Sequence, residues 1–335
     1  MSTVTDMETG LHPRRNVGGA TVETYMPEKD PKGLRPASET PSYLMRRPYI
    51  LNYYRVNYTA WDCIKSLFTL HNETANIWTH IVGFFIWLAM LKSTTQEQTF
   101  LKADTYTQFF TVLSYILCMC MPFFSSLYHC FNSTVSCACF FDYKTSTATS
   151  SPAEIFLLRM DLLGIACLWF ARLLMEGHLV WWCQRDVFYN VLIFSAAIFL
   201  FASSILVYKL NLAALGPLFV LVHLPLLWLL FVGDGTVKNT NSLSPTGKGL
   251  SLESHGDLTS HVLYSISGTL CAFVAFFIYK KNIPEKWNPG YFDLFGSSHN
   301  WWHIFTWLGP TFVLQGLFKF MVYRVEGIGQ HCAAN

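Results

Sequence analysis

The sequence has 335 residues, of which 52% are hydrophobic and 13% charged, and its mean hydropathy is +0.31. That charged fraction is about half the roughly 25% of a soluble globular domain. Apolar runs of about twenty residues, long enough to cross a bilayer as helices, recur along the chain and predict a polytopic membrane protein. The net charge of +2 argues against nucleic acid as a partner, and the 10 cysteines are too scattered to predict a disulfide framework.

The polar segments divide the chain into four parts. Residues 1–42 contain Pro and Gly throughout and predict a disordered tail without a signal peptide. Residues 43–70 mix aromatic with basic side chains, which is typical of an amphipathic juxtamembrane segment at a membrane surface. Residues 71–325 form the predicted transmembrane domain, with a Ser- and Gly-rich link at 233–259, and 326–335 are a tail. The spans are predicted at about 75–92, 107–129, 155–175, 187–208, 212–232, 260–279 and 300–323.

The seventh predicted span begins with two histidines. His299 and His303 lie four residues apart and therefore project from the same face of a helix. Two imidazoles placed in this way can share one metal ion, as in the zinc helices of metalloproteases. No Glu follows the first His, so a general base has to come from elsewhere in the chain. The alternative is a pair of interfacial histidines beside Trp301 and Trp302, which would anchor the helix in the membrane.

The first span opens with a polar stripe. Glu73, Asn76 and His80 recur at i, i+3 and i+7 on one face of an otherwise apolar helix, and such a face is expected to point into the protein. The alternative is that Asn72 caps the helix while Glu73 favours its first turn.

Other spans carry isolated polar residues. Ser125 and His129 share a face at the end of the second span. Asp161, in the third span, costs about 2.5–3.5 kcal/mol if it reaches the bilayer core, and it needs a partner on another helix because Arg159 faces elsewhere. In the fifth span Pro225 predicts a kink, and His223 is expected to bond a carbonyl that the kink frees.

Consecutive spans alternate in direction, which brings the polar residues to one side. The end of the second span and the starts of the first, third and seventh all lie at the same face of the membrane. Three histidines (His129, His299 and His303) with the carboxylate of Asp161 match a catalytic zinc site that keeps one position open. Basic residues before the first span and after the sixth favour the cytoplasm for this face. The predicted fold is an all-α seven-helix membrane bundle with a cytoplasmic amino terminus, an external carboxyl terminus and a zinc site near the cytoplasmic face.

These motifs resemble the progestin and adipoQ receptor family, which includes the adiponectin receptors and bacterial haemolysin III-like proteins. The resemblance covers about residues 43 to 329, and its spacing is most similar to the adiponectin-receptor-like branch. The matching residues are 66–68, 71–80, 125–129, Asp161, 283–286, 289–290, 292–293 and 298–303.

The resemblance implies specific roles for the site residues. Zinc would be held by His129, His299 and His303, with Asp161 beside the water at its open position. Ser125 would donate to a tetrahedral oxyanion, while Glu73 and Asn76 would orient the zinc ligands. The family is similar to a wider superfamily that contains alkaline ceramidases, which implies hydrolysis of the amide bond of ceramide.

Two function classes remain open on this resemblance. The first is a signalling receptor with zinc-dependent ceramide hydrolase activity. The second is a non-catalytic receptor or membrane-lipid sensor, including the steroid receptor type, with structural zinc. The expected partners are a membrane sphingolipid, an extracellular protein or steroid ligand, and further copies of the chain as a homo-oligomer. The expected location is the plasma membrane or an endomembrane.

Overall fold

The computed structural model describes residues 32–41, 44–134, 152–209, 216–233 and 252–327. These residues are mostly helical, and two short strands precede the main helices. The elements are β1 (Gly33–Arg35), β2 (Tyr54–Val56), α1 (Ala60–Ser66), α2 (Thr74–Gln96), α3 (Gln98–Lys102), α4 (Thr105–Phe131), α5 (Pro152–Val180), α6 (Arg185–Lys209), α7 (Gly216–Val222), α8 (Leu224–Phe231), α9 (Leu252–Lys281) and α10 (Ser298–Val325). Most of the predicted amino-terminal tail, of the 233–259 link and of the carboxyl-terminal tail lies outside the described residues.

Several helices are suited to a bilayer. Among the described residues, four segments are long and apolar enough to cross a membrane: Thr74–Gln96, Thr105–Phe131, Arg185–Ile205 and Asp257–Lys281. They carry large apolar side chains on their outer surface, where Phe85 is 61% exposed, Ile193 70% and Phe273 57%. Exposed apolar surface of this extent suits a lipid environment. The chain is therefore a helical membrane protein, as its composition predicts.

A helix also lies at each of the other three predicted spans. The segments α5 and α10 are long, but polar and charged side chains interrupt their apolar runs. The fifth segment is two short helices, α7 and α8, which break at His223, two residues before Pro225. The His223 ring bonds the carbonyl of Phe219 at 2.8 Å, as predicted for a carbonyl near the kink. Seven membrane crossings and the orientation of the termini remain predictions.

Two predicted boundaries are wrong in part. Residues 33–35 of the predicted disordered tail form β1, which pairs antiparallel with β2, and the amide of Ala37 donates to the Leu51 carbonyl at 2.8 Å. These backbone hydrogen bonds order the end of the tail, which its polar composition did not indicate. The helix α9 begins at Leu252, inside the predicted polar link.

The start of α2 also differs from the alternative in which Asn72 caps the helix. The helix begins at Thr74, and Glu73 occupies the N-cap position without a side-chain cap bond. Asn72 lies one residue earlier, and its backbone amide donates to Tyr53 at 3.1 Å. Asn72 is therefore bonded to the juxtamembrane segment and does not cap α2. The Glu73 side chain makes no capping bond and is available for other contacts.

The bundle packs around two pairs of neighbouring helices. The helices α4 and α5 form one pair, α9 and α10 form the other, and α2 lies against both α4 and α10. Trp87, Tyr115 and Leu168 are buried where α2, α4 and α5 meet, and Leu317 and Phe320 extend the core along α10. This arrangement brings the end of α4 close to the starts of α2, α5 and α10.

The pair α9 and α10 approaches closely because glycines face each other. A Cβ atom added to Gly309 would lie 2.9 Å from the Gly268 carbonyl oxygen, and one added to Gly268 would lie 2.7 Å from that of Gly309. Small residues allow this approach between membrane helices. The contact fixes α10 against α9 midway along both helices.

Cys183 marks the end of the bundle opposite the start of α5. It follows α5 and is disulfide-bonded, which its sequence spacing did not predict. An α-helix as long as α5 extends for about 40 Å. Disulfides persist in oxidising compartments and are rare in the cytosol. If the start of α5 faces the cytoplasm, as predicted, Cys183 would lie at the external face, where such a bond is expected.

The orientation is testable by glycosylation. Asn57, Asn72 and Asn132 each stand in an Asn-x-Ser/Thr sequence at the predicted cytoplasmic end. We expect no glycan on any of them in a eukaryotic host, while an acceptor sequence added after Asn335 is glycosylated. Asn57 is the most informative because Asn132 is 6% exposed and sterically protected. Glycan at Asn57, measured by a glycosidase-sensitive mobility shift, would contradict the orientation.

The glycine contact predicts a local sensitivity to side-chain size. Gly309→Ala should destabilise the detergent-solubilised protein by about 1–3 kcal/mol, the usual cost of overpacking. The control is Gly216→Ala, because a Cβ atom there meets nothing within 4 Å. A thermal shift measurement should show a lower melting temperature for Gly309→Ala alone. Equal melting temperatures would mean that the backbones of α9 and α10 separate without cost.

Candidate metal centre

Three histidines meet where α4 ends and α10 begins. His129 lies in the last turn of α4, and His299 and His303 lie in the first turns of α10. The Ser297 side chain starts α10 through a capping box with Asn300, which sets the direction in which the helix leaves the preceding loop. One side-chain nitrogen from each histidine lies within 4.8 Å of the other two. The predicted convergence of these residues is therefore present in the fold.

Residues at the start of α2 fix the orientation of two of these imidazoles. Nδ1 of His129 lies 2.8 Å from the Glu73 carboxylate, and Nδ1 of His303 lies 3.2 Å from the Asn76 backbone carbonyl. Carboxylates and carbonyls only accept hydrogen bonds, so each Nδ1 carries the proton and each Nε2 keeps its lone pair. Such outer contacts commonly orient histidine ligands of a metal. Glu73 and Asn76 therefore contact two of the imidazoles that the resemblance expects them to orient.

Glu73 links several elements around the centre. Besides His129, its carboxylate accepts hydrogen bonds from the side chains of Asn76 at 2.7 Å and Asn132 at 3.0 Å. Burial alone would raise the pKa of Glu73, but His129 and these hydrogen bonds outweigh it and lower the pKa to about 2. Glu73 is therefore ionised at neutral pH, which suits its role as an acceptor.

The third histidine has a different outer contact. Nδ1 of His299 lies 2.8 Å from the guanidinium of Arg47, which can only donate. This histidine therefore accepts at Nδ1, and its Nε2 carries the proton in the hydrogen bond to His129 Nε2. A metal ion can bind Nε2 only after the proton leaves that nitrogen. In a neutral imidazole the proton then lies on Nδ1, so the contact of Nδ1 with Arg47 has to change.

The spacing of the nitrogens fits a small tetrahedral ion. Nε2 of His129 and Nε2 of His299 are 3.3 Å apart. Two ligands at Zn–N distances of about 2.0–2.1 Å in a tetrahedron are separated by about 3.3 Å. Three imidazoles are also a donor set that zinc commonly uses in catalytic sites. This pair of nitrogens therefore fits zinc, and binding at His299 requires its contact with Arg47 to change.

The predicted carboxylate lies beside the histidines. Ser125, 3% exposed on α4, hydrogen-bonds the Asp161 carboxylate on α5, and His129 lies near enough to act on that carboxylate. Asp161 therefore has the partner on another helix that its sequence position required. In the described part of the chain, the group within ligand distance contains His129, His299 and His303 without Asp161. In this conformation the Ser125 hydroxyl is engaged by Asp161, so its donation to an oxyanion requires that bond to open.

Several contacts at the centre were not assigned from the sequence. Asn300 donates to the Asn76 side chain at 2.6 Å, and Arg55 donates to the His129 carbonyl at 2.6 Å. The ring of His80 lies 3.9 Å from that of His303, between centroids. The polar stripe of the first span pointed to His80, but Arg55 carried no sequence signal because basic juxtamembrane residues are ordinary at interfaces.

The fold and the site define the class of protein: a helical membrane bundle with a buried histidine centre at one end. Comparison with known sequences identifies the family. A sequence model of the Haemolysin-III related family matches residues 68–314. The chain belongs to this family.

Curated relatives match most of the chain at low identity. Heptahelical transmembrane protein 1 of Arabidopsis thaliana is 26% identical over 85% of this chain and 80% of its own length. Heptahelical transmembrane protein 3 of the same plant is 24% identical, covering 81% and 82%. Progestin and adipoQ receptor family member 3 of Mus musculus is 24% identical over 84% of both chains. The family model at residues 68–314 covers Glu73, Asp161 and the three histidines of the centre.

The geometry predicts which histidines retain metal. His303→Ala should remove most of the zinc bound by the purified protein, because one of three protein ligands is lost, and should lower its melting temperature. His223→Ala is the matched control, since this histidine lies at the break between α7 and α8 and bonds Phe219 away from the centre. Metal per protein, measured by elemental analysis, should fall only in the first variant. Unchanged zinc in both His303→Ala and His129→Ala would contradict the ligand assignment.

Proposed function

We propose that this protein is a membrane receptor with zinc-dependent amide hydrolase activity towards a sphingolipid such as ceramide. The observation that carries the proposal is the pairing of three converging imidazoles with a separate carboxylate, Asp161, beside them. A purely structural metal site usually closes with four protein ligands, whereas a catalytic one keeps a position for water. In the described residues, the ligand group has three members.

The residues around the centre would have different roles in amide hydrolysis. Bound zinc would supply a Lewis acid that polarises a carbonyl and acidifies water. Asp161 would take a proton from a water molecule beside the histidines and return it to the leaving amine, as a general base and then acid. Ser125 holds the Asp161 carboxylate towards the centre through its hydrogen bond. Glu73 and Asn76 keep Nε2 of His129 and His303 directed inwards.

The surroundings favour a lipid amide as the substrate. The centre lies at one end of an apolar bundle, where His129 is 3% and His303 2% exposed. A lipid held in the bilayer can bring its polar head to this depth while its chains remain in the apolar phase. The resemblance to ceramidase-related membrane proteins identifies ceramide as the candidate. The centre would face the cytoplasm of the plasma membrane or an endomembrane.

A second candidate is a receptor or lipid sensor in which zinc is structural and turnover is absent. The names of relatives favour it, since one is a progestin and adipoQ receptor family member and another is heptahelical transmembrane protein ADIPOR1 of Oryza sativa. The burial of the histidines is also compatible with a structural site. An extracellular protein or a steroid would then be the ligand, and the chain could act as a homo-oligomer.

Asp161→Asn separates the two candidates. The change keeps size and most hydrogen bonding but removes basicity, so bound zinc should remain while ceramide hydrolysis falls by roughly 10²–10⁴-fold. Asp257→Asn is the control, because Asp257 pairs with Lys319 at the far end of the bundle. The measurement is release of sphingoid base by purified protein in detergent, with and without chelator, alongside metal content.

Three results are informative. Retained zinc with lost hydrolysis supports the hydrolase. Hydrolysis that is absent in the wild type supports the receptor with structural zinc. Hydrolysis that is equal in the wild type and Asp161→Asn would contradict the role of Asp161 as the general base. Loss of zinc in Asp161→Asn would make Asp161 a metal ligand and would remove the main support for the hydrolase.

A further inference from the structure

A fourth histidine belongs to the centre without belonging to the ligand group. His80 lies on α2 and is 2% exposed, and its ring centroid is 3.9 Å from that of His303. Among the described residues, the group whose nitrogens lie within 4.8 Å of one another contains His129, His299 and His303 only. His80 is therefore in contact with the centre but is not placed as a metal ligand.

The hydrogen bonding of His80 distinguishes it from its three neighbours. Each Nδ1 of the ligand histidines has a partner: Glu73 for His129, Arg47 for His299 and the Asn76 carbonyl for His303. In the part of the chain that the structure describes, Nδ1 of His80 is buried without a hydrogen-bond partner. An unpartnered polar atom in an apolar environment is destabilising, and buried polar groups usually find partners. A group that enters the centre can supply what His80 lacks.

We propose that His80 is a substrate-binding residue that hydrogen-bonds the amide of a bound lipid at the metal centre. This inference rests on the proposed hydrolase function. A neutral imidazole offers one donor and one acceptor, and a secondary amide offers the same pair. Binding of such a head group would pair the Nδ1 atom that the unliganded protein leaves unpaired. A hydrocarbon of the same shape would leave it unpaired, so the contact selects lipids with a polar amide.

The alternative is that His80 serves only to pack against the His303 ring. Two substitutions separate packing from hydrogen bonding. His80→Phe keeps an aromatic ring against His303 but removes both nitrogens. His80→Asn loses the ring, yet its side-chain amide reaches the place that Nδ1 occupies in histidine. If His80 only packs against His303, His80→Phe should weaken ceramide binding less than His80→Asn. If His80 binds the substrate, His80→Asn should weaken ceramide binding less than His80→Phe.

The experiment uses the full chain in detergent and a fluorescent short-chain ceramide as the probe. Binding is measured in the Asp161→Asn background so that the probe is not consumed, and zinc per protein is measured for every variant. We expect His80→Phe to retain zinc and to weaken ceramide binding by about 5- to 30-fold, the effect of losing one buried hydrogen bond. His80→Asn should recover part of that loss.

The possible failures are distinguishable. A wild-type protein that binds neither zinc nor ceramide overturns the proposed function and this inference with it. If the parent protein binds both, equal ceramide affinity in His80→Phe overturns the inference alone. Loss of zinc in His80→Phe also overturns it, because His80 would then act by holding the metal ligands.

Discussion

The structure depends on one constraint: polar side chains buried among apolar helices have to satisfy one another. An unpartnered polar group in such an interior is costly, and a charged group more so. At the histidine end, Glu73 on α2 meets His129 on α4, and Asn76 on α2 meets His303 and Asn300 on α10. These bonds join three helices that are distant in sequence. The same contacts that satisfy the polar groups therefore position the candidate metal ligands.

The constraint operates at the other end of the bundle as well. Glu176 on α5 is fully buried and lies 2.8 Å from Arg172, 3.2 Å from Ser265 and 3.3 Å from His261. Ser265 and His261 belong to α9, so this group joins α5 to α9 by polar contacts. Between the two ends, apolar side chains and the contact of Gly268 with Gly309 hold the helices together. Polar contacts therefore connect the helices at both ends of the bundle, and the histidine centre lies at one of these ends.

The juxtamembrane segment belongs to the centre and is more than a surface anchor. Arg47 contacts His299 and lies over the ring of Tyr279 at 3.9 Å, while Arg55 is 2% exposed and donates to the His129 carbonyl. Arg46 pairs with Glu154 at the start of α5. Three arginines from one short segment therefore connect α4, α5 and α10. Positive charge in this segment therefore links helices to one another, in addition to the membrane orientation that it predicts.

Sequence patterns alone predicted much of the fold and the set of candidate ligands. Apolar runs of the right length located the helices, since hydrophobic length is a local property. Helical spacing put His299 beside His303 and Glu73 beside Asn76, and alternating span direction brought His129 and Asp161 to the same end. The break beside Pro225 followed from the missing amide of proline. Each of these inferences needs only near neighbours or the order of the helices.

Only the tertiary structure decided which partners these residues have. Arg47 and Arg55 lie far in sequence from the histidines that they contact, and a basic residue near a membrane has many ordinary roles. The strand pairing of residues 33–35 depends on residues 54–56, which polar composition cannot indicate. The engagement of Ser125 by Asp161 and the unpaired Nδ1 of His80 depend on how α2, α4, α5 and α10 pack. Contacts between distant segments follow from packing in three dimensions, and local patterns carry little information about them.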